Sequence, residues 1–474
     1  MSHSDLNPSW QKDSTVVILA GGKASRMRGT KSKAFEIICS KSIIDHQLST
    51  IQDSGIKQVV IVINPVFEKD FCTLKEQYPS LSIRLAMQSE AKGTAHATMQ
   101  ALPFIESSKT IIIAGDTPLI TKNILTNALN DLKSCHLTVA VYDNPEGFGR
   151  IIRNSEGQIQ QIVEQKDCTT EQASVKEANT GILSAATSIL KKYCPQISNT
   201  NQQKEFYLTD LVHLLVKDGH EIQSNQVTEP WQAKGVNTPQ ELCDLERAYS
   251  SAQCERLIAQ GVKIKDAQRF DCRGQLFCGK NVTIDINVII EGVVHLGDDV
   301  SVGASCVLRN CTIEKASIVK PFSIIEDSYV HESAQIGPYA YCRNQTRVGK
   351  SSEIGCFVES KQTVIGDGSK AKHLSYLGNL SIGKNVNIGA GVIHCNYDGR
   401  QKHTSNIGDY AFIGANTNIV APLSISANAT IAAGSTITKA VPENALAISR
   451  ARQENKANWK SRQKQSEQCS TPIT

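Results

Sequence analysis

No stretch of this chain approaches the roughly 18 consecutive apolar residues that a membrane-crossing helix needs, so no span is expected. Charge of one sign is scarce as well. The 50 Lys and Arg stand against 46 Asp and Glu, a net +4 over 474 residues, which provides no basic field of the kind that holds nucleic acid. The opening MSHSDLNPSWQKD lacks the apolar core of a signal peptide, so export by that route is not expected and the cytoplasm is the expected compartment. None of the 15 cysteines forms a C-x-x-C pair. Scattered as Cys39, Cys72, Cys135, Cys168 and onward, they are expected to be reduced thiols packed as small hydrophobes, rather than disulfides or a zinc site. Neither the dinucleotide-binding G-x-G-x-x-G nor the P-loop G-x-x-x-x-G-K-[ST] follows the first strand.

What the chain does contain falls into two textures, and its length calls for at least two domains. In the first 240 or so residues, VVILAGG, KQVVIVINP, TIIIAGD and LTVAVYD are short β-rich runs, several of them apolar on both faces. Segments long enough for crossover helices separate them, which predicts an α/β domain with a parallel sheet. A connecting helix follows, with Leu242, Leu245, Tyr249 and Ala252 at helical spacing. Beyond it a period of six appears. Positions 282, 288, 294 and so on to 354 hold Val, Val, Val, Val, Cys, Thr, Ile, Ile, Val, Ile, Cys, Val and Ile, and Ile recurs at 407, 413, 419, 425, 431 and 437. Chance gives the first series on the order of once in 10^4 per frame, and the physical reading is a parallel β-helix of hexapeptide rungs stacked on an inward apolar column. Two breaks are expected, a register shift around 361–379 and an extruded loop over 394–406. The expected layout is a polar leader (1–14), an α/β domain (15–238), a helical linker (239–262), a β-helix (263–452) and a polar tail (453–474).

Taken by themselves, the candidate site residues leave alternatives open. The glycine turn in VVILAGGKASRMRGTKSKAF fits a phosphate cradle and a tight structural turn equally well. Asp116 ends an apolar strand, where open α/β sheets bind ligands, but a helix cap would also suit it. His373, beside Lys370 and Lys372 with Tyr376 three residues on, reads as solvated surface or as a base.

The order of motifs breaks these ties. LAGGK-x-S-R-M, QSEAKGTAHA, AGDTPL, GFGRI, VEQKD, NTGI, EFYLTD and GVN are followed by HLSYLGN, NIGAGVIHCNYDG and ENALAISR. Together, from about residue 15 to about 460, they resemble the bacterial GlmU family, bifunctional N-acetylglucosamine-1-phosphate uridylyltransferases and glucosamine-1-phosphate N-acetyltransferases. The resemblance implies an N-terminal Rossmann-like nucleotidyltransferase domain, a linker helix and a C-terminal left-handed parallel β-helix, assembled as a homotrimer. It implies Mg²⁺ on Asp116 and Asn237, a hard ion suited to oxygen ligands, with UTP and acetyl-CoA as co-substrates. Leu19, Ala20, Gly21, Gly22, Lys33, Ala114 and Gly115 would line the nucleotide site, with Arg26 adding charge. Gln88, Gly93 and Thr94 would read uracil, and Gly149, Glu164 and Asn179 would meet the amino sugar. In the second half, His373 would be the general base. Arg343, Lys361, Tyr376 and Asn387 would hold glucosamine 1-phosphate, and Ala390, Asn396, Tyr397, Ala415, Ala433 and Arg450 would meet acetyl-CoA. The product, UDP-N-acetylglucosamine, would feed peptidoglycan and lipopolysaccharide precursors. The chain departs from the family pattern at Ala24, Ser25, Ser32, Ala95 and Ala415. A working uridylyltransferase is the expectation. Acetyl transfer alone, with a degenerate nucleotide loop, and a non-catalytic sugar-nucleotide-binding scaffold are the alternatives.

Overall fold

The computed structural model describes residues 9–22, 32–457 and 459. It divides into two compact units, Met1–Ala252 and Gln253–Thr474. Among the described residues of the first unit, nine strands form one sheet: β1 (Ser14–Ala20), β2 (Gln58–Ile63), β3 (Ser82–Met87), β4 (Lys109–Ala114), β5 (Cys135–Val141), β6 (Arg150–Arg153), β7 (Ile159–Val163), β8 (Glu177–Ala186) and β9 (Ile222–Gln226). The order across it is β9-β5-β8-β4-β1-β2-β3, with the β6–β7 hairpin attached to β8. The pairs β4–β1, β1–β2, β2–β3 and β9–β5 are parallel, as predicted. Strand β8 differs, running antiparallel to both β4 and β5. Its first residues therefore lie at the edge where its parallel neighbours end.

Alternation along the strands explains why both faces are covered. Val16 and Ile18 of β1, with Ile111 and Ile113 of β4, face one apolar cluster, whereas Val17 and Ile112 face the other. Helices α1 (Ile43–Ser54) and α3 (Lys122–Leu129) close the first face; α2 (Thr94–Ala101) and α4 (Asp210–Lys217) close the second. Helix α1 starts where the Ser42 hydroxyl accepts from the Asp45 amide at 3.1 Å and stops at Gly55, which takes φ of 86°. A long helix, α5 (Pro239–Ala259), follows.

The second unit is a stack of short parallel strands. Thr283 pairs with Ser301 and Ser301 with Ile318, so successive coils are 18 or 17 residues apart, three six-residue edges with an occasional short one. Each edge buries two side chains rather than one, giving paired columns such as 282/284, 288/290 and 294/296. This corrects the single comb drawn from the sequence. Its frame follows one column through Val282 to Cys306 and the other from Val330 to Ile354, while Ile318 between them is 41 % exposed. Five-residue steps at Cys306–Cys311 and Ser323–Ser328, all buried, slide one column into the frame of the other. Two more short steps, Val358–Thr363 and Ser375–Leu380, produce the predicted shift near 361–379. Ile407, Ile413, Ile419, Ile425, Ile431 and Ile437 are all buried, as expected. Cys306 and Cys342 pack within the same columns.

The corners recur as residues in the left-handed region, among them Asn281, Asp299, Asn385 and Asn416, side chains that tolerate it best. One corner instead carries Phe322, Tyr339 and Phe357 at φ of 62°, 54° and 56°. Their rings stack at 4.9 and 5.2 Å, offsetting part of a backbone cost of roughly 1–2 kcal/mol each.

Candidate active sites

In the first unit, loops at the carboxyl ends of the parallel strands surround a cleft of about 910 Å³. Every described residue expected at the nucleotide and amino-sugar site lines it. Leu19, Ala20, Gly21 and Gly22 come from the end of β1, Ala114, Gly115 and Asp116 from the end of β4, and Gln88 follows β3. Gly93 and Thr94 open α2; Gly149 precedes β6 and Glu164 follows β7; Asn179 lies on the antiparallel β8. Lys33 and Asn237 complete the set. Ala24, Ser25 and Arg26 lie outside the described residues.

Several of these positions are constrained by close backbone approach. A Cβ on Gly115 would stand 2.7 Å from the Leu19 carbonyl oxygen, and one on Gly21 would meet Gln88 Oε1 at 2.5 Å. Gln88 is buried, with its Nε2 donating to the Gly93 carbonyl at 3.2 Å and lying 3.1 Å from His96 Nδ1. Asn179 N–H donates to the Gly149 carbonyl at 2.8 Å, tying two sugar-side residues together. Glu164 accepts from the Thr209 hydroxyl at 3.0 Å, and burial raises its carboxyl above the ordinary glutamate value. Lys33 donates to Asp116 Oδ2 at 2.7 Å and to Asn237 Oδ1 at 2.9 Å. The Glu241 carboxylate holds the Asn237 and Thr238 amides at 2.7 and 2.9 Å.

Two departures from the family pattern are benign here. Ser32 has φ of −59°, a value proline itself would adopt, so the approach to Lys33 keeps its conformation. Ala95 is fully buried inside α2 and its amide donates to the Phe206 carbonyl at 2.9 Å. Sequence reasoning assigned no role to Thr209, Lys234 or Glu241, which also line the cleft. Thr209 stood within the EFYLTD motif, and nothing in the local pattern distinguished the other two.

In the second unit, the strands Tyr341–Arg343, Glu353–Lys361 and Lys370–Gly378 lie side by side. Arg343 pairs with Lys361, and Tyr341, Glu359 and Tyr376 form the adjoining column. Arg343 is braced by Glu359 at 2.5 and 3.0 Å. Lys361 is held below the ordinary lysine value, first by its contact with Lys402, then by desolvation, with repulsion from Lys402 and Arg343 adding. Three cations therefore converge where the sequence reading named two. Lys402 was missed because it lies in the extruded loop, a mini-hairpin in which Tyr397 bridges Lys402.

His373 is exposed and immediately precedes Leu374, a corner residue at φ of 43°. The same corner, coil after coil, carries Ala390–Gly391, Ala415–Asn416 and Ala433–Gly434. The Gly391 amide donates to the Leu374 carbonyl at 2.9 Å, Asn416 to Ala390 at 2.7 Å and Gly434 to Ala415 at 2.8 Å. Arg450 closes the series by donating to the Ala433 carbonyl at 2.9 Å. Ala415, the last departure from the family pattern, thus offers backbone to its neighbours. Asn387 pairs with Lys370 on the strand that carries His373. Asn396 is buried, its amide donating to Asn379 Oδ1 at 2.8 Å, while Tyr397 is exposed.

A family model described as nucleotidyl transferase matches residues 15–249. Among curated proteins, the "Bifunctional protein GlmU" of Marinobacter nauticus is 41% identical over 447 residues, covering 94% of this chain and 98% of that protein. The protein of the same name from Francisella philomiragia is 43% identical over 445 residues, with the same coverage. That of Acinetobacter baylyi is 42% identical over 453 residues, covering 95% of this chain and 99% of the relative.

Proposed function

The chain belongs to the bifunctional GlmU family, and from that premise we propose how its residues divide two reactions between two units. The protein is a bifunctional transferase that makes UDP-N-acetylglucosamine. In the first reaction the 2-amine of glucosamine 1-phosphate attacks the acetyl-CoA thioester; a C–N bond forms, the C–S bond breaks and CoA leaves as the thiol. In the second, a phosphate oxygen of N-acetylglucosamine 1-phosphate attacks the α-phosphorus of UTP and pyrophosphate leaves.

For acetyl transfer, His373 is the base that takes the amine proton. Arg343, Lys361 and Lys402 hold the sugar phosphate, with Tyr376 and Asn387 against the sugar. The corner backbone at Ala390, Ala415 and Ala433, with Tyr397 and Arg450, forms the track for acetyl-CoA. Asn396 shapes the base of the loop that carries Tyr397, its own side chain being engaged by Asn379. An amide near Ala390 is the donor for the developing oxyanion.

For uridylyl transfer, Gln88, Gly93 and Thr94 read the base, and the turn at Gly21 and Gly22 faces the phosphates. Glu164, Asn179 and Gly149 face the amino sugar. Asp116 Oδ2 and Asn237 Oδ1 already converge on one positive charge, the Lys33 ammonium, and as hard oxygen donors they suit Mg²⁺. Mg²⁺ bound there supplies neutralisation of phosphate charge. This chain's part is to orient the sugar phosphate in line with UTP and to present Lys33 to the phosphates. The observation that carries the reading is the convergence on one cleft of Gly21, Gln88, Asp116, Glu164 and Asn237, which are far apart in the chain.

The small-molecule substrates follow from the family. The homotrimer, the cytoplasmic location and the supply of envelope precursors are proposals resting on the resemblance. Among the described residues no helix is long and apolar enough to cross a membrane. A paired assay tests the whole: CoA thiol release with glucosamine 1-phosphate, and pyrophosphate release with UTP and N-acetylglucosamine 1-phosphate. Both signals are expected. Thiol without pyrophosphate would leave an acetyltransferase alone, and neither would leave a scaffold.

A further inference from the structure

We propose that Lys33 is a resident counterion of the Asp116–Asn237 oxygen pair, so that a divalent cation takes its place there only as the ammonium leaves. The inference rests on the reading of Asp116 and Asn237 as cation ligands and adds a competitor to it. The backbones that carry both oxygens are held without help from Lys33. The Asp116 backbone carbonyl accepts from the Val236 amide at 2.9 Å, and the Asn237 backbone N–H donates to the Glu241 carboxylate at 2.7 Å. Gly235 leaves the Asp116 carboxylate its room, since a Cβ there would lie 2.9 Å from Oδ1.

Lys33, by contrast, comes from the short helical turn Lys33–Phe35, and its long side chain reaches across the cleft. Among the described residues its ammonium meets only these two oxygens, at 2.7 and 2.9 Å. Magnesium sits about 2.1 Å from its oxygen ligands. An ion so placed on Oδ2 and Oδ1 would fall within contact distance of the ammonium, so the two cations exclude each other. The side chains of Lys33 and Asp116 are 19% and 27% exposed, which leaves the ammonium free to swing into the cleft once phosphate oxygens offer it a new partner. Metal and nucleotide binding are thereby coupled. The protein without nucleotide holds a divalent cation weakly, and a triphosphate that draws Lys33 away opens the oxygen pair to it. The arrangement needs no large motion, only a different rotamer of one lysine.

The test measures Mn²⁺ binding to the full chain without nucleotide, from the loss of the free aquo-ion's paramagnetic resonance signal. Wild type is compared with Lys33→Met, Lys33→Arg and Asp116→Asn, each checked for an unchanged thermal melt. Removing a unit charge a few ångströms from a divalent ion is worth at least about tenfold in affinity, even with water's full screening. Lys33→Met is therefore expected to bind Mn²⁺ at least about tenfold more tightly than wild type, Lys33→Arg no more tightly, and Asp116→Asn not measurably. Unchanged or weaker binding by Lys33→Met, with binding abolished in Asp116→Asn, would overturn the counterion role while leaving the metal ligands in place. Undiminished binding by Asp116→Asn would instead overturn the ligand reading itself, and the counterion with it.

Discussion

Replacing Gly93 by alanine should disable the first unit and leave the second working. Gly93 has φ of 106° and ψ of 174°, a conformation essentially reserved for glycine, and an alanine forced into it costs about 1–3 kcal/mol. The new Cβ would also stand 2.5 Å from the Phe206 carbonyl oxygen, 2.8 Å from its nitrogen and 3.0 Å from its carbonyl carbon. All three are backbone atoms, so no rotamer change relieves the contact. Phe206 is itself pinned, donating to the Lys92 carbonyl at 2.8 Å and accepting from the Ala95 amide at 2.9 Å. Displacing it weakens both bonds, each worth about 1 kcal/mol net. The total is about 3–5 kcal/mol. The displacement also reaches chemistry, because the Gly93 carbonyl accepts from Gln88 and the Thr94 hydroxyl accepts from the Leu208 amide at 2.9 Å, next to Thr209 and its bond to Glu164. Two units call for two unfolding transitions, so urea unfolding should be read as two steps. The expected result is a marked fall in the midpoint of one step, pyrophosphate release down about 10²-fold or more, and thiol release within about twofold of wild type. Unmoved transitions together with an unchanged KM for UTP would refute the reasoning.

Two further outcomes follow from individual side chains. His373→Ala should abolish thiol release and spare pyrophosphate release; loss of both would mean that His373 does not serve acetyl transfer alone. His136 is buried with its Nδ1 unpartnered among the described residues, and desolvation pushes its imidazole down to about 4. Because the unfolded chain protonates first, near the usual value of about 6.5, this residue's contribution to stability is complete above that pH. It is lost as pH falls towards about 4, amounting to about 2 kcal/mol once partial solvation is allowed for. Urea midpoints at pH 7.5 and 5 should show this slope in wild type and a shallower one in His136→Leu; equal slopes would sink it.

Much of the architecture was legible because it depends on repetition. Continuous short apolar runs such as VVILAGG and TIIIAGD are met by strands buried on both faces, and the Ile series from 407 to 437 by a stacked column. The doubling of the column was not legible. A five-residue step looks, in one dimension, like a tolerated mismatch at Thr312. In three dimensions it exchanges the side chain that faces inward for its neighbour. The direction of β8 was likewise hidden, because a strand covered on both faces has the same composition whichever way it runs.

The sequence by itself determined which residue types were available and in what order: glycines after the first strand, a carboxylate ending TIIIAGD, a histidine among lysines, and motifs in one family's succession. Only the tertiary structure decided which of them meet. Lys33, Asp116 and Asn237 lie within hydrogen-bond reach although about 200 residues of chain separate the first from the last. His373, Ala390, Ala415 and Ala433 are unevenly spaced in the chain yet succeed one another along a single corner, because an extruded loop occupies one coil and none of its neighbours. The physical reason is the same in both units. Burial and periodicity act locally and leave their mark on composition. A site is a meeting of polar groups at strand ends and corners, where no apolar pattern records which neighbours the fold will supply.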